Sequence, residues 1–270
     1  MINLNFGLWW SGAPLSYLRY LTFKSLRHFH PHSRIQLYMS PKFKVGNMDM
    51  VTTDNPQEFV RPDSVKEDYL PKVDELDVEI VHSNAFQKFA PNHQSDLFRW
   101  YFLKEHGGFY LDTDQIIVRS FKSLPLKKEF IYSSYDVDSP YALDNHYTPV
   151  GVMGATRGSK VIKDIANRIF EYYDESNYNS IGPWMLNERL NDLDLGSSFN
   201  APSSYFYPAP ICNFTDGIYD GSLEINEDAY SIHWFGGYGS SQVFNQSYTE
   251  EFAKKSDDSI SRFLRKARII

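Results

Sequence analysis

Asp112 and Asp114 stand two residues apart at the end of a short apolar run, Phe109-Tyr110-Leu111. Two carboxylates on a bend after a strand can both reach one ion. Hard oxygen ligands suit Mg2+ or Mn2+, which keep several waters and bind substrate phosphate oxygens. A cation held there could grip a diphosphate. The same Asp-x-Asp spacing recurs at Asp136-Val137-Asp138 and Asp192-Leu193-Asp194. At least two of the three pairs read as solvated loop carboxylates. The first pair stands apart because ligands of open α/β sheets bind beyond the carboxyl ends of strands. On spacing alone, a turn of charged residues remains open beside metal binding.

The residues just before this pair add to the pattern. A helix over 94–106 carries Ser95, Asp96 and Arg99 and stops at Gly107-Gly108, a common helix C-cap. Asp96 and Arg99 are three apart, hence on one face. They form either an exposed ion pair or a pair packed under the bend, where Arg99 orients Asp96 toward a hydroxylated ligand. Far along the chain, His233 lies between Ile232 and Trp234. A histidine in a strand is either a satisfied core residue or a ligand to metal or phosphate, and both readings stay open here. Trp234 reads as a packing residue. Gly236-Gly237-Tyr238-Gly239-Ser240-Ser241 has the freedom of a flap. Asp144-Asn145-His146 could reach an acceptor, and Cys212 reads as a small buried hydrophobe.

Positioning these groups requires a sheet. Ile2 to Trp10 predicts a buried strand, residues 15–29 a helix with Leu18, Leu21 and Leu26 inward, and Arg34 to Met39 a second strand. This β-α-β start with a helical crossover implies a mostly parallel sheet with helices on its faces. Residues 40–75 form an irregular excursion with room for a short helix. Val78 to His82, 109–111, 115–119, 130–134, 150–155 and 230–235 are further strands. Helices are expected over Lys160 to Tyr173, with Ile162, Ile165, Ile169 and Phe170 on one side, over Pro183 to Leu190, and over Glu250 to Ala267. Strands fall throughout the length, so residues 1–270 are read as one domain.

Composition narrows the class. A chain of 270 residues can bury a sizeable core. Its net charge of −7 argues against a nucleic-acid partner, which needs a basic stripe. Aromatic residues make up 16% of the chain, a richness that suits sugar or nucleotide binding without proving it. The single cysteine leaves no internal disulfide and fits a reducing cytoplasm. The N-terminal run has no basic n-region and is not expected to be a signal peptide. The terminal helix, with Lys254, Lys255, Arg262, Arg265, Lys266 and Arg268 among apolar residues, could touch an anionic membrane, though a docked helix is the safer expectation.

Ser95-Asp96-x-x-Arg99 … Gly107-Gly108-x-Tyr110-x-Asp112-x-Asp114 resembles the sugar-binding region of the Asp-x-Asp glycosyltransferases, above all glycosyltransferase family 32. That family includes initiating mannosyltransferases and bacterial capsule and polysaccharide enzymes. Phe6-Gly7-Leu8-Trp9-Trp10-Ser11-Gly12 is similar to its first strand, Ile181-Gly182-Pro183 to its Gly-Pro helix start, and Ser231-Ile232-His233-Trp234 to its late His-aromatic segment. These anchors occur in the family's order. The resemblance implies a GT-A fold, a nucleotide-sugar donor carrying UDP or GDP, a saccharide, glycan or lipid-linked acceptor, Mn2+ or Mg2+, and retention of anomeric configuration. It implies catalytic roles for Asp112 and Asp114, with His233 as the third residue at the metal. It places Trp9, Trp10, Ser95, Asp96, Arg99, Tyr110, Thr113, Gly182, Pro183 and Trp234 on the donor side. Two features depart from the family. Trp9-Trp10 stands where one aromatic is usual, and Gly236 to Ser240 replaces a Ser-Trp pair.

Three rivals follow from the same residues. A phosphohydrolase of the haloacid-dehalogenase type also has Asp-x-Asp after a strand, but it wants Thr or Val where this chain has Ile116. A glycoside hydrolase needs its two carboxylates across a cleft. A carbohydrate-binding protein without activity would keep the same motifs.

Overall fold

The computed structural model describes residues 3–40, 65, 67–135, 148–209, 214–237 and 239–270. In chain order the strands and helices are β1 (Asn5–Trp10), α1 (Tyr17–Phe29), β2 (Arg34–Met39), α2 (Leu70–Asp74), β3 (Glu79–His82), α3 (Pro91–His106), β4 (Gly108–Leu111), β5 (Gln115–Ile117), β6 (Phe130–Ser133), β7 (Val152–Ala155), α4 (Lys160–Arg168), α5 (Met185–Asp192), β8 (Phe199–Ala201), α6 (Phe214–Tyr219), β9 (Ser231–His233), α7 (Gly239–Ser247), α8 (Glu250–Lys255) and α9 (Ser259–Lys266). Cys212, Asp136 to Asp138 and Asp144 to His146 lie outside the described residues.

Among the described residues, seven strands form the main sheet in the order β3-β2-β1-β4-β7-β6-β8. Only β7 runs against the rest, pairing antiparallel with both β4 and β6. The expected mostly parallel α/β sheet is therefore present. The chain works outward from β1 to β3 and then returns to place β4 on the other side of β1. That reversal opens a crevice between β1 and β4 at their carboxyl ends, the usual ligand position in such sheets.

The sheet is buried on both faces. Phe6, Leu8 and Trp10 of β1 enter the core under α1, whereas Trp9, Tyr110 and Met153 enter the core shared by α3, α4 and α5. Period-2 alternation thus sends the two adjacent tryptophans to opposite faces. Ser16 caps α1 by accepting from the Arg19 N–H, and Ser159 caps α4 in the same way from Ile162. Pro91, preset for a first helical turn, starts α3 three residues before the expected position.

Several boundaries differ from expectation. The helix from Lys160 turns 3-10 over Ile169–Glu171, and Phe170 is exposed rather than inward. Ser180–Trp184 is a π-turn kinked at Gly182, so α5 begins only at Met185. The terminal helix is two helices: Ser256 is extended and Asp258 caps α9 by accepting from Ser261. Ile260 and Leu264 anchor α9 in the core, and Arg262 and Arg265 donate to the carbonyls of Gly221 and Ala253. Strand β8 and helices α6 and α7 carried no period strong enough to be read. No helix among the described residues is long and apolar enough to cross a membrane.

His30 ties the end of α1 to the core. It is buried between Phe6 and Phe121, and its Nε2 accepts the Phe121 N–H at 3.2 Å. Burial, helped by Lys122 and Arg27, pushes it down to about 4. The unfolded chain therefore takes up this proton before the folded one does. The stabilisation is fully present above pH ~6.5 and is lost as pH falls toward 4, at most roughly 3 kcal/mol. Urea titrations at pH 7.5 and 4.5 should show this loss, and His30→Gln, which keeps an acceptor but no titrating ring, should flatten it.

Candidate functional site

The acidic pair sits where β4 ends at the β1/β4 crevice. The Asp112 N–H still donates to the Gly151 carbonyl at 2.8 Å, continuing the β4–β7 ladder past Leu111. The chain then turns into β5, which pairs antiparallel with β9, Gln115 opposite His233. The Trp234 N–H donates to the Asp114 carbonyl at 3.0 Å. Two pairings thus bring a residue 119 positions away to the Asp-x-Asp bend. Ligand atoms of Asp112, Asp114 and His233 lie within 4.8 Å of one another. His233 Nε2 is 3.1 Å from Asp114 Oδ1 and 3.8 Å from Asp112 Oδ2.

This group fits a hard divalent cation. Asp114 Oδ1 and His233 Nε2 are buried, and neither makes a directed hydrogen bond despite their separation of 3.1 Å. Gly151 lines the same space: a Cβ there would lie 2.9 Å from Asp112 Oδ2 and 3.1 Å from His233 Nε2. Two carboxylates and an imidazole around a space kept open by glycine form a donor set suited to such an ion. Burial alone would raise Asp114, but His233, Arg19 and the Gly236 N–H hold it below the ordinary carboxylate range. Burial alone would lower His233, yet Asp114 and Asp112 push it up to about 9. Gly151→Ala is expected to displace the Asp112 carboxylate and weaken Mn2+ binding by about 10- to 100-fold with little change in fold. Calorimetric Mn2+ titration beside a circular dichroism melt checks both halves.

Arg99 organises the other side. It is buried, 3.0 Å from Asp96 Oδ1, and it donates to Asp112 Oδ1 and the Tyr110 hydroxyl at 3.2 Å each and to Ser95 Oγ at 3.1 Å. The Tyr110 hydroxyl also donates to Asp112 Oδ1. The Asp96–Arg99 pair is therefore the packed one, not an exposed surface pair. Burial opposes the charge on Arg99, but Tyr110, Asp96 and Asp112 overcome that and keep it firmly charged. Burial pushes Asp96 up to about 6 in spite of Arg99. The two partners respond unequally because Arg99 divides its charge among three groups. Gly182 presses on Asp96: a Cβ there would lie 2.9 Å from Oδ1. Pro183 is buried beside it.

The tryptophans among the remaining expected residues divide between the two cores. Thr113 is buried, accepts from Arg19 Nη1 at 2.9 Å, and its carbonyl accepts from Thr22 Oγ1 at 2.8 Å. Helix α1 is thereby pinned to the bend. Trp234 is fully buried, with the Arg19 guanidinium 5.1 Å from its ring, so it supports the site through Arg19. Trp10 flanks the same guanidinium at 4.8 Å, whereas Trp9 packs on Phe86 and Phe98 across the sheet. The glycine flap is partly fixed: Phe235 is left-handed (φ 45°), the Gly236 N–H donates to Asp114 Oδ2 at 2.7 Å, and α7 starts at Gly239. Tyr238 lies outside the described residues. Asp192 and Asp194 are exposed, but Asp192 is the last residue of α5 and accepts from Arg189 Nη1 at 3.2 Å rather than lying in a loop.

Three residues at the site went unnoticed in sequence. Arg19 had a signal, a lone cation on a buried helical face one turn before Thr22. Gln115 had one too, as the polar member of Gln115-Ile116-Ile117. Gly151 had none, since its role depends on atoms brought by β9.

Comparison with known proteins agrees with this geometry. The family model described as glycosyltransferase sugar-binding region containing DXD motif matches residues 19–131. Among solved structures, the PaToxG glycosyltransferase superimposes with a TM-score of 0.50 at 16% identity, over 98% of this chain and 87% of that one. The glycosyltransferase GlyE of Streptococcus pneumoniae TIGR4 gives 0.46 at 15% identity, over 99% of this chain and 61% of GlyE. The galactosyltransferase LgtC, solved with donor and acceptor sugar analogs, gives 0.43 at 15%, over 92% and 99%. At such identities the likeness to PaToxG speaks for the fold alone, here the GT-A fold. No curated protein matches the chain in sequence. The Asp112–Asp114 bend lies inside the matched span, so this part of the chain is similar to the DXD-containing sugar-binding region of glycosyltransferases.

Proposed function

We propose that the enzyme is a divalent-cation-dependent, retaining hexosyltransferase that moves a sugar from a UDP- or GDP-sugar to a hydroxyl of a saccharide, glycan or lipid-linked acceptor. The observation that supports this reading is the convergence of Asp112, Asp114 and His233, whose ligand atoms lie within 4.8 Å of one another, at the carboxyl end of β4 beside β1. These three residues would hold Mn2+ or Mg2+, which when bound supplies positive charge against the charge that develops on a diphosphate leaving group.

The protein's own groups divide the remaining work. Asp96, held by Arg99 and crowded by Gly182, is poised to accept hydrogen bonds from the donor sugar. Arg99 also bonds Asp112 Oδ1, so sugar pocket and acidic bend are set by one rigid guanidinium. Fixing the two in register orients the anomeric carbon toward the acceptor hydroxyl. In this reading the acceptor attacks from the face the diphosphate leaves. The bond from C1 to the phosphate oxygen breaks, the acceptor oxygen bonds C1, and the departing phosphate oxygen takes the acceptor proton. In this reading the reaction takes place in the cytoplasm.

A thermal-shift screen of UDP- and GDP-sugars with and without Mn2+ tests the reading, because a ligand that binds the folded state raises its melting temperature by mass action. A cation-dependent shift with one donor, followed by hydrolysis of that donor, is the expected result. Phosphate release from a simple monoester without donor turnover would instead mark the phosphohydrolase.

A further inference from the structure

Gln115 is the first residue of β5 and fully buried, yet neither its Nε2 nor its Oε1 has a hydrogen-bond partner. Buried polar side chains are overwhelmingly paired, so an amide with both ends unpaired is a departure that needs a cause. Its place in the fold points to one. Gln115 lies directly opposite His233 in the β5–β9 pair, and directly opposed residues project their side chains to the same face. The Cβ position that Gly151 leaves empty is 2.9 Å from Asp112 Oδ2, 3.1 Å from His233 Nε2 and 3.3 Å from Gln115 Nε2. One small volume is therefore bordered by an acid, an imidazole and the unpaired amide. Amide oxygen and nitrogen are interchanged by a simple flip, so either can face that volume.

We propose that Gln115 is a fourth protein ligand of the cation cradle, turning its amide oxygen onto the ion held by Asp112, Asp114 and His233. A carbonyl oxygen is a hard donor of the kind Mg2+ and Mn2+ accept, and it adds a ligand without adding charge. The set becomes two carboxylates, one imidazole and one amide, and the donor diphosphate is left to complete the shell. The cost of burying the unpaired amide is then relieved when the ion enters. This inference rests on the cation reading given above.

Gln115→Leu separates the proposal from a structural role. Removing an unsatisfied buried amide in favour of an apolar side chain should leave the metal-free melting temperature unchanged or higher. The dissociation constant for Mn2+ alone, read by calorimetry, should rise by about 10- to 100-fold, as for other residues of a metal's coordination environment. The melting-temperature increase on adding Mn2+ should shrink in step. Gln115→Glu, which keeps an oxygen at the same place, should bind Mn2+ at least as tightly as the parent. Gln115→Leu with parental Mn2+ affinity would overturn the proposal, as would a fall in the metal-free melting temperature with affinity unchanged in Gln115→Glu and Gln115→Leu alike. A parent protein that binds no Mn2+ would overturn the cation reading itself, and this assignment with it.

Discussion

Asp114→Ala is expected to lower glycosyl transfer by about 10^3-fold, the scale of removing a preorganised electrostatic stabiliser from a water-excluded site. Asp114 joins both ends of the site. Its Oδ2 accepts the Gly236 N–H at 2.7 Å, its Oδ1 faces His233 at 3.1 Å, and its carbonyl accepts the Trp234 N–H. The backbone bond survives the substitution, so β5 and β9 stay paired. What disappears is the carboxylate that keeps His233 charged and, with a cation present, ligates it. Mn2+ titration should show binding lost along with turnover. Steady-state kinetics should show the loss in kcat as well as in kcat/KM, since the interaction strengthens as the leaving group gains charge. Full transfer by Asp114→Ala would remove the metal role assigned to the bend.

The second large effect is on stability. Arg99→Met keeps much of the side chain's volume but removes the one cation among the described residues that contacts Asp96, Asp112 and Tyr110 together. Breaking a buried pair by removing one partner leaves an uncompensated charge, at a cost of about 3–5 kcal/mol. The pH signature distinguishes this from lost packing. Asp96 is already raised to about 6 by burial with Arg99 in place. Without Arg99 it should rise further, so the folded variant binds a proton more tightly than the unfolded chain. Its stability is then greatest at low pH and falls as pH rises through the folded-state value. Guanidine unfolding at pH 5.5 and pH 8 should show the variant's deficit widening with pH. A deficit equal at both would point to packing. Arg99→Lys should recover part of the stability but little transfer, because a point charge cannot span three partners in a fixed fork.

The most legible parts of this protein were local. The bounds expected for the second strand, Arg34 to Met39, match β2 residue for residue, although Gln36 is buried along with its apolar neighbours, and the α1 face led by Leu18, Leu21 and Leu26 is buried as its period required. The Asp-x-Asp bend after an apolar strand could be picked from three candidates because a strand end is encoded by neighbours in sequence. Elements held by tertiary contacts were harder. The three residues of β8 are ordered by pairing with β6, and α9 is separated from α8 by a cap at Asp258 rather than by loss of amphipathic period.

Residue types and spacing by themselves determined the fold class, through the order of strands and helices along the chain, and the acidic bend and the Asp96–Arg99 pairing, through groups within one helix or one turn of another. Only the folded chain decided that His233 faces Gln115 across β5 and β9, that Gly151 leaves the space between them, and that Arg19 is wedged between Trp10 and Trp234 behind the bend. Those groups come from segments far apart in sequence. Their meeting is set by sheet register and helix docking, which no local period encodes.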